Sequence, residues 1–139
     1  MRRFWGALVA MALVVGGWAA RADERPEVMA LRNADSWLAT IDQGKYVESW
    51  DAASKLFQSG ITRDKWKDAL IGVRKPLGKL VARTFKSAEH KTSAPGAPDG
   101  HYIIIKYQTV FENKKSALET VTPMLEADGS WKISGYYIN

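Results

Sequence analysis

The apolar positions of the chain change spacing twice, and each change marks a different kind of element. The first stretch has no period: Phe4 to Val15 is an apolar run behind Arg2 and Arg3, loosened by Gly16 and Gly17. Ala20-Arg21-Ala22 follows, with small residues at the two positions a signal peptidase reads. A basic start, an apolar middle and a small-residue exit are the three parts of a secretory leader, so residues 1–22 are expected to be removed.

From Pro26 to Gln43 the spacing becomes helical. Leu31, Ala34, Leu38 and Ile41 recur at three- and four-residue steps, and Ala30, Ala34, Trp37 and Ile41 form a second row beside them. Pro26 suits a first turn, and Gly44 suits a left-handed stop. A second helix is expected from Lys45 to Gln58, with the stripe Tyr46, Trp50, Ala53 and Phe57, ended by Gly60. Thr62 caps a third, with Asp64 in its first turn and Trp66, Leu70 and Val73 on its buried side. Pro76 ends it, because proline disfavours helical geometry in the residue before it.

After Gly78 the period drops towards two. Lys79 to Lys91 is a long strand of poor alternation, and Ser93 to Gly100 is a Pro/Gly break. His101 to Glu112 is the clearest strand, with Ile103, Ile105, Tyr107 and Phe111 to one side. Asn113 to Lys115 turns the chain into a strand from Ser116 to Ala127, where Pro123 argues for an edge or a bulge. Asp128-Gly129 reads as a two-residue primed turn into a last strand from Trp131 to Ile138. That turn would set Glu126 opposite Trp131, Met124 opposite Ile133 and Thr120 opposite Tyr137, with Gly135 free to bend the strand.

The expected fold is α+β: three N-terminal helices packed on a curved four-stranded antiparallel meander, as a single domain over residues 23–139. The competing reading of the leader is an anchor that stays attached. Its apolar span, Phe4 to Ala20, is 17 residues, the lower limit for about 30 Å of hydrocarbon. The paired glycines and the Ala-x-Ala site favour cleavage, with no stable membrane insertion afterwards. The polar lead-in is too short for a twin-arginine signal, which leaves the general secretory route and a periplasmic or secreted destination. No cysteine exists to carry a lipid, a disulfide or thiolate chemistry. The net charge of +5 comes from 20 basic and 15 acidic residues. Three of the basic ones, Arg2, Arg3 and Arg21, leave with the leader, so the mature chain is nearly neutral and a nucleic-acid partner is not expected.

Several segments together resemble a known family. They are Trp37-Leu38-x-x-Ile41-Asp42-x-Gly44-x-Tyr46-x-x-Ser49-Trp50, Arg74-x-Pro76-Leu77-Gly78, Pro95-Gly96-Ala97-Pro98-Asp99-Gly100, Glu119-Thr120-Val121-Thr122 and Gly135-Tyr136-Tyr137-Ile138. In this order they resemble a bacterial family catalogued as domain of unknown function 4019, over roughly residues 27 to 138. The resemblance implies an exported domain similar to the cone-shaped, cystatin-like fold of nuclear transport factor two. That broader group includes isomerases, dehydratases and many binding or accessory domains. The short strand of that fold between the second and third helices has no counterpart here.

Candidate chemistry is sparse. The two histidines, His90 and His101, flank the Pro/Gly loop near Asp99, and read as solvated strand-end residues rather than metal ligands; no cofactor is expected. No Gly-x-Ser-x-Gly elbow exists for a nucleophile. An acid–base site would draw on Glu119, mid-strand, with Tyr107, Tyr136 and Tyr137 on neighbouring strands, Tyr107 and Tyr137 first among them; the competing role for Glu119 is an ion pair with Arg74 or Arg83 that joins the sheet to the helices. Trp66, Trp131 and Tyr137 are candidates to line an apolar ligand site at the mouth of the cone, against the alternative that the tryptophans are core. Arg63, Lys67 and Arg74 share a helix face within a segment of nine basic and three acidic residues, Arg63 to Lys91. They form either a basic patch for an acidic envelope component or an ordinary solvated face. The two functions left open are an exported accessory or ligand-binding domain, and a small acid–base isomerase or dehydratase using the cone pocket.

Overall fold

The computed structural model describes residues 25–139; the leader falls outside the described residues. Four helices come first: α1 (Pro26–Asp42), α2 (Tyr46–Asp51), α3 (Lys55–Gly60) and α4 (Arg63–Val73), with a 3-10 turn at Lys75–Leu77. Four strands follow, β1 (Leu80–Lys91), β2 (Tyr102–Phe111), β3 (Lys114–Leu125) and β4 (Trp131–Ile138). They form one antiparallel sheet in the order β1-β2-β3-β4. The architecture is α+β, as the spacing predicts.

α1 carries the expected apolar face, with Ala30, Ala34, Trp37, Leu38 and Ile41 buried. It ends in a Schellman motif: Lys45 N–H bonds Thr40 C=O at 3.0 Å, and Gly44 N–H bonds Ile41 C=O at 2.9 Å. Gly44 supplies the required positive φ of 77°. The single helix expected over Lys45–Gln58 is instead two, α2 and α3, broken at Ala52-Ala53-Ser54. Two bonds hold the break open. The Ser54 amide donates 2.8 Å to Ile133 C=O on β4, and the Ser54 hydroxyl accepts from Phe57 N–H at 3.1 Å as the N-cap of α3. Val73, expected inside, is 56 % exposed: it is the last residue of α4, on the rim of a cleft against β4 rather than under the sheet.

The last hairpin also differs. Glu126 N–H bonds Ser130 C=O at 2.7 Å, so the loop holds three residues, Ala127, Asp128 and Gly129. Gly129 alone has positive φ (87°), and the Gly129 N–H closes on Glu126 C=O at 3.0 Å. A helical turn followed by a left-handed glycine twists the strands as a primed turn would, without positive φ at Asp128. The register near the loop is therefore Leu125 opposite Trp131 and Met124 opposite Lys132, one residue from expectation. A shift between Thr122 and Pro123 leaves Ser134 extra and restores Thr120 opposite Tyr137. The irregularity in β4 is this bulge. Gly135 is not needed for it: a side chain there would meet only an ordinary contact with Thr122 at 3.9 Å. Pro123 lies on an interior strand, at the bulge, where a missing amide is tolerated.

The core lies between α1 and the inward face of the sheet, where Ile103, Ile105, Tyr107, Val121, Trp131 and Ile133 meet the helices. Trp37 is its centre. It stacks on Trp66 at 6.1 Å and meets Phe57 and Tyr136 edge-on at 6.4 and 5.3 Å. The indole N–H of Trp37 reaches Ser49 C=O at 2.8 Å, and that of Trp66 reaches Ser49 Oγ at 2.9 Å. One buried serine thus satisfies two tryptophans that would otherwise lose their solvent bonds.

Candidate functional site

Two kinds of environment meet around β4: a closed polar cluster inside and apolar clefts at the surface. The cluster is built on Glu119, mid-way along β3 and fully buried. Its Oε1 accepts from Arg83 Nε at 2.7 Å and Thr109 Oγ1 at 2.5 Å; its Oε2 accepts from Arg83 Nη2 at 3.2 Å and from the Tyr136 hydroxyl. Of the two arginines the sequence offers to Glu119, Arg83 makes the pair. The same guanidinium clasps Asp42 at the end of α1, with Nη1 and Nη2 at 2.8 and 3.0 Å from its two oxygens. Arg74 instead spans Asp42 at 3.2 Å and Gly78 C=O at 2.6 Å, with its guanidinium 4.4 Å over the Phe111 ring.

The electrostatics follow from the packing. Burial disfavours the Arg83 cation, but the bonds to Asp42 and Glu119 outweigh it and raise its pKa. Burial, then the Glu119 charge and hydrogen bond, push the Tyr136 phenol well above its ordinary value. Tyr107 is also raised, by burial and by its 2.7 Å bond to Asp35. Both phenols therefore keep their protons and act as donors. All four bonds on Glu119 come from fixed partners, and neither phenol is poised to accept a proton.

The clefts have other walls. One, of about 260 Å³ between α4 and β4, is lined by Trp66, Ala69, Leu70, Val73, Tyr136, Tyr137 and Ile138. It brings together Trp66 and Tyr137, two of the three residues expected at a ligand site. The third, Trp131, lies apart in a cleft of about 310 Å³ with Pro26, Glu27, His90, His101 and Leu125. Both tryptophans are also core residues, 8 % and 7 % exposed, so they show a ligand only an edge. Tyr137 is 57 % exposed and turns away from Glu119, because neighbours along a strand face opposite sides. Of the three tyrosines expected beside Glu119, Tyr107 points to Asp35 and Tyr137 to the outer face, and Tyr136 alone bonds Glu119.

The basic face divides in the same way. Arg63 is exposed and bonds Asp51 at 2.7 Å. Lys67 borders an open hollow with Glu48 and Lys75. Arg74, 3 % exposed, faces the interior and is lost to any external patch. Helical spacing put the three on one face, but the turn after α4 folds the sheet over that end of it. Asp42 and Ser49 stood in the motif that resembles the family, but with no role attached, and Asp35 was not singled out at all. The one sign of their roles was that buried indoles, arginines and phenols need acceptors, which names no particular residue.

The fold and cluster define a small α+β domain whose polar centre joins its layers and whose surface clefts are apolar. Residues 33–136 match the model of a family described as a protein of unknown function, DUF4019, and the chain belongs to that family. No curated protein matches it. Among the described residues, no helix is long and apolar enough to cross a membrane.

Proposed function

We propose that this protein is an exported accessory domain of the bacterial envelope that binds a small apolar ligand, or an apolar element of an envelope partner, in the α4–β4 cleft. The leader pattern of residues 1–22 supports export. The observation that carries the binding role is the cleft wall itself. Trp66, Leu70, Val73 and Ile138 supply apolar surface, and the hydroxyl of Tyr136 is turned inward to Glu119. A ligand there meets rings and aliphatic carbons, so burial of its own apolar surface drives binding. An acid–base enzyme would need a carboxylate free to exchange a proton beside the ligand, and Glu119 has its oxygens bonded within the fold.

Native mass spectrometry of protein purified from the periplasm tests the reading, with a bound apolar compound or partner expected. Val73→Asp places a charge on the cleft rim at an already exposed position, and should strip that ligand while leaving thermal unfolding unchanged. A ligand retained by this variant would refute the cleft assignment. N-terminal sequencing should find Asp23 first.

A further inference from the structure

The two histidines were expected to be unrelated strand-end residues beside a loose loop. In the structure they form a pair. His90 lies within the β1 ladder opposite Ile103, and His101 directly precedes β2. Beyond them the hairpin is closed by Gly100 N–H on Thr92 C=O at 2.9 Å, and the His101 carbonyl accepts from Leu125 N–H at 3.0 Å, so hydrogen-bonded backbone holds both residues between the strands and the Pro/Gly loop. His90 Nε2 and His101 Nδ1 are 3.0 Å apart, with ring centres 5.2 Å apart and ring planes within 9°. The rings meet edge to edge and share one hydrogen.

We propose that this pair is a binding site for a single borderline divalent cation, of the Cu²⁺ or Zn²⁺ class. Two imidazole nitrogens bound to one such ion at ~2.0–2.1 Å, and ~90–110° apart, stand about 2.8–3.4 Å from each other. The observed 3.0 Å is within that span. The strands therefore bring the two donors within reach of one ion before any ion arrives. The rings, whose facing nitrogens are hydrogen-bonded to each other, must turn to aim at it. Both side chains are exposed, so each can turn to bring its lone pair towards a common point. The hydrogen between the facing nitrogens moves to the far nitrogen of the ring that carries it, which frees both facing lone pairs for the ion.

The surroundings fit an ion with open positions. The pair supplies two protein donors, His90 Nε2 and His101 Nδ1, and water would complete the ion's shell. The cleft of about 310 Å³ beside the pair leaves room for those waters. Glu27 borders that cleft, and Asp99 borders the hollow on the other side of His101. Both carboxylates favour a cation nearby. With imidazole donors, Cu²⁺ binds more tightly than Zn²⁺. The ion would also bridge β1 and β2 just below the Pro/Gly loop.

The test uses the mature protein without a histidine tag, titrated with Cu²⁺ alone and with Zn²⁺ alone. Calorimetry should give one site, tighter for Cu²⁺. Electron paramagnetic resonance of the Cu²⁺ form should show hyperfine coupling to two imidazole nitrogens. His90→Ala and His101→Ala should each weaken binding at least about tenfold, since even outer-shell partners of metal ligands are worth that much. Both positions are exposed, so the metal-free variants should unfold at the wild-type temperature. Unchanged binding in the double variant would overturn the proposal, as would several weak sites or a spectrum without imidazole nitrogen. The apolar-ligand reading is tested separately, because it concerns a different cleft, the one lined by Trp66 and Tyr137.

Discussion

The two edge strands are held to the helices by opposite chemistries. β4 is held by apolar packing: Trp131 and Ile133 are buried, Tyr136 packs on Trp37, and the Ser54 amide bonds the Ile133 carbonyl. β1 has little apolar cover. Val81 is 62 % and Phe85 50 % exposed, and the strand shifts register twice, near Leu80 and near Phe85. What fixes it is Arg83, whose fork takes Asp42 from α1 and Glu119 from β3. Apolar packing is tolerant of small shifts and roughly additive. A buried, fully bonded ion cluster adds little net stability but penalises every wrong arrangement. The bulges and the Lys86, Glu89 and Lys91 charges also discourage another strand from adding to this edge.

Five substitutions probe that contrast. Glu119→Gln should have the largest effect, about 3–5 kcal/mol by urea unfolding, because it leaves the Arg83 charge buried without one of its two partners. Combined with Arg83→Met the losses should fail to add, by ~0.5–3 kcal/mol. Strict additivity would mean that β1 is not held by this pair. On the other side, Ile133→Ala should cost about 2–5 kcal/mol as an ordinary cavity, and should add to Glu119→Gln nearly in full.

Tyr136 belongs to both regions, which gives a pH test. Its folded pKa is raised, so its contribution is fully present below the unfolded tyrosine value of about 10. Above that pH the unfolded chain releases the proton while the native protein keeps it, so stability falls as pH rises. Tyr136→Phe should cost about 1 kcal/mol near neutrality and flatten this alkaline limb. An identical limb in the variant would exclude Tyr136 as its source. The smallest effect belongs to Arg63→Ala. Its ion pair with Asp51 lies in solvent, and unfolding should be unchanged at both low and high salt.

The difference between the edges also explains what was legible in the sequence. The α1 stripe, the Gly44 stop, the Thr62 cap and the β2 alternation are local patterns, and each appears where its period placed it. β1 read poorly because an edge strand outside the helical cover has little reason to alternate. The Lys45–Gln58 helix failed because Ser54 takes its amide bond from β4, about eighty residues later in the chain. The hairpin was placed correctly from Asp128-Gly129, yet its register was one residue out, since Gly129 also fits a three-residue loop. Of the candidate site, the residue types were visible but their grouping was not. Trp66 and Tyr137 share a cleft, Trp131 does not, and Arg74 is turned inside.

The sequence by itself determined the α+β class, the order and approximate limits of most elements, and the family. All of these rest on residues within a few positions of one another, where backbone geometry imposes its periods of 3.6 and 2. Tertiary structure alone decided which arginine takes Glu119, that Ser49 serves two indoles, that Ser134 bulges and that His90 meets His101 at 3.0 Å. Each joins residues from separate elements. Such pairings depend on register and crossing geometry, where a one-residue change redirects every side chain beyond it.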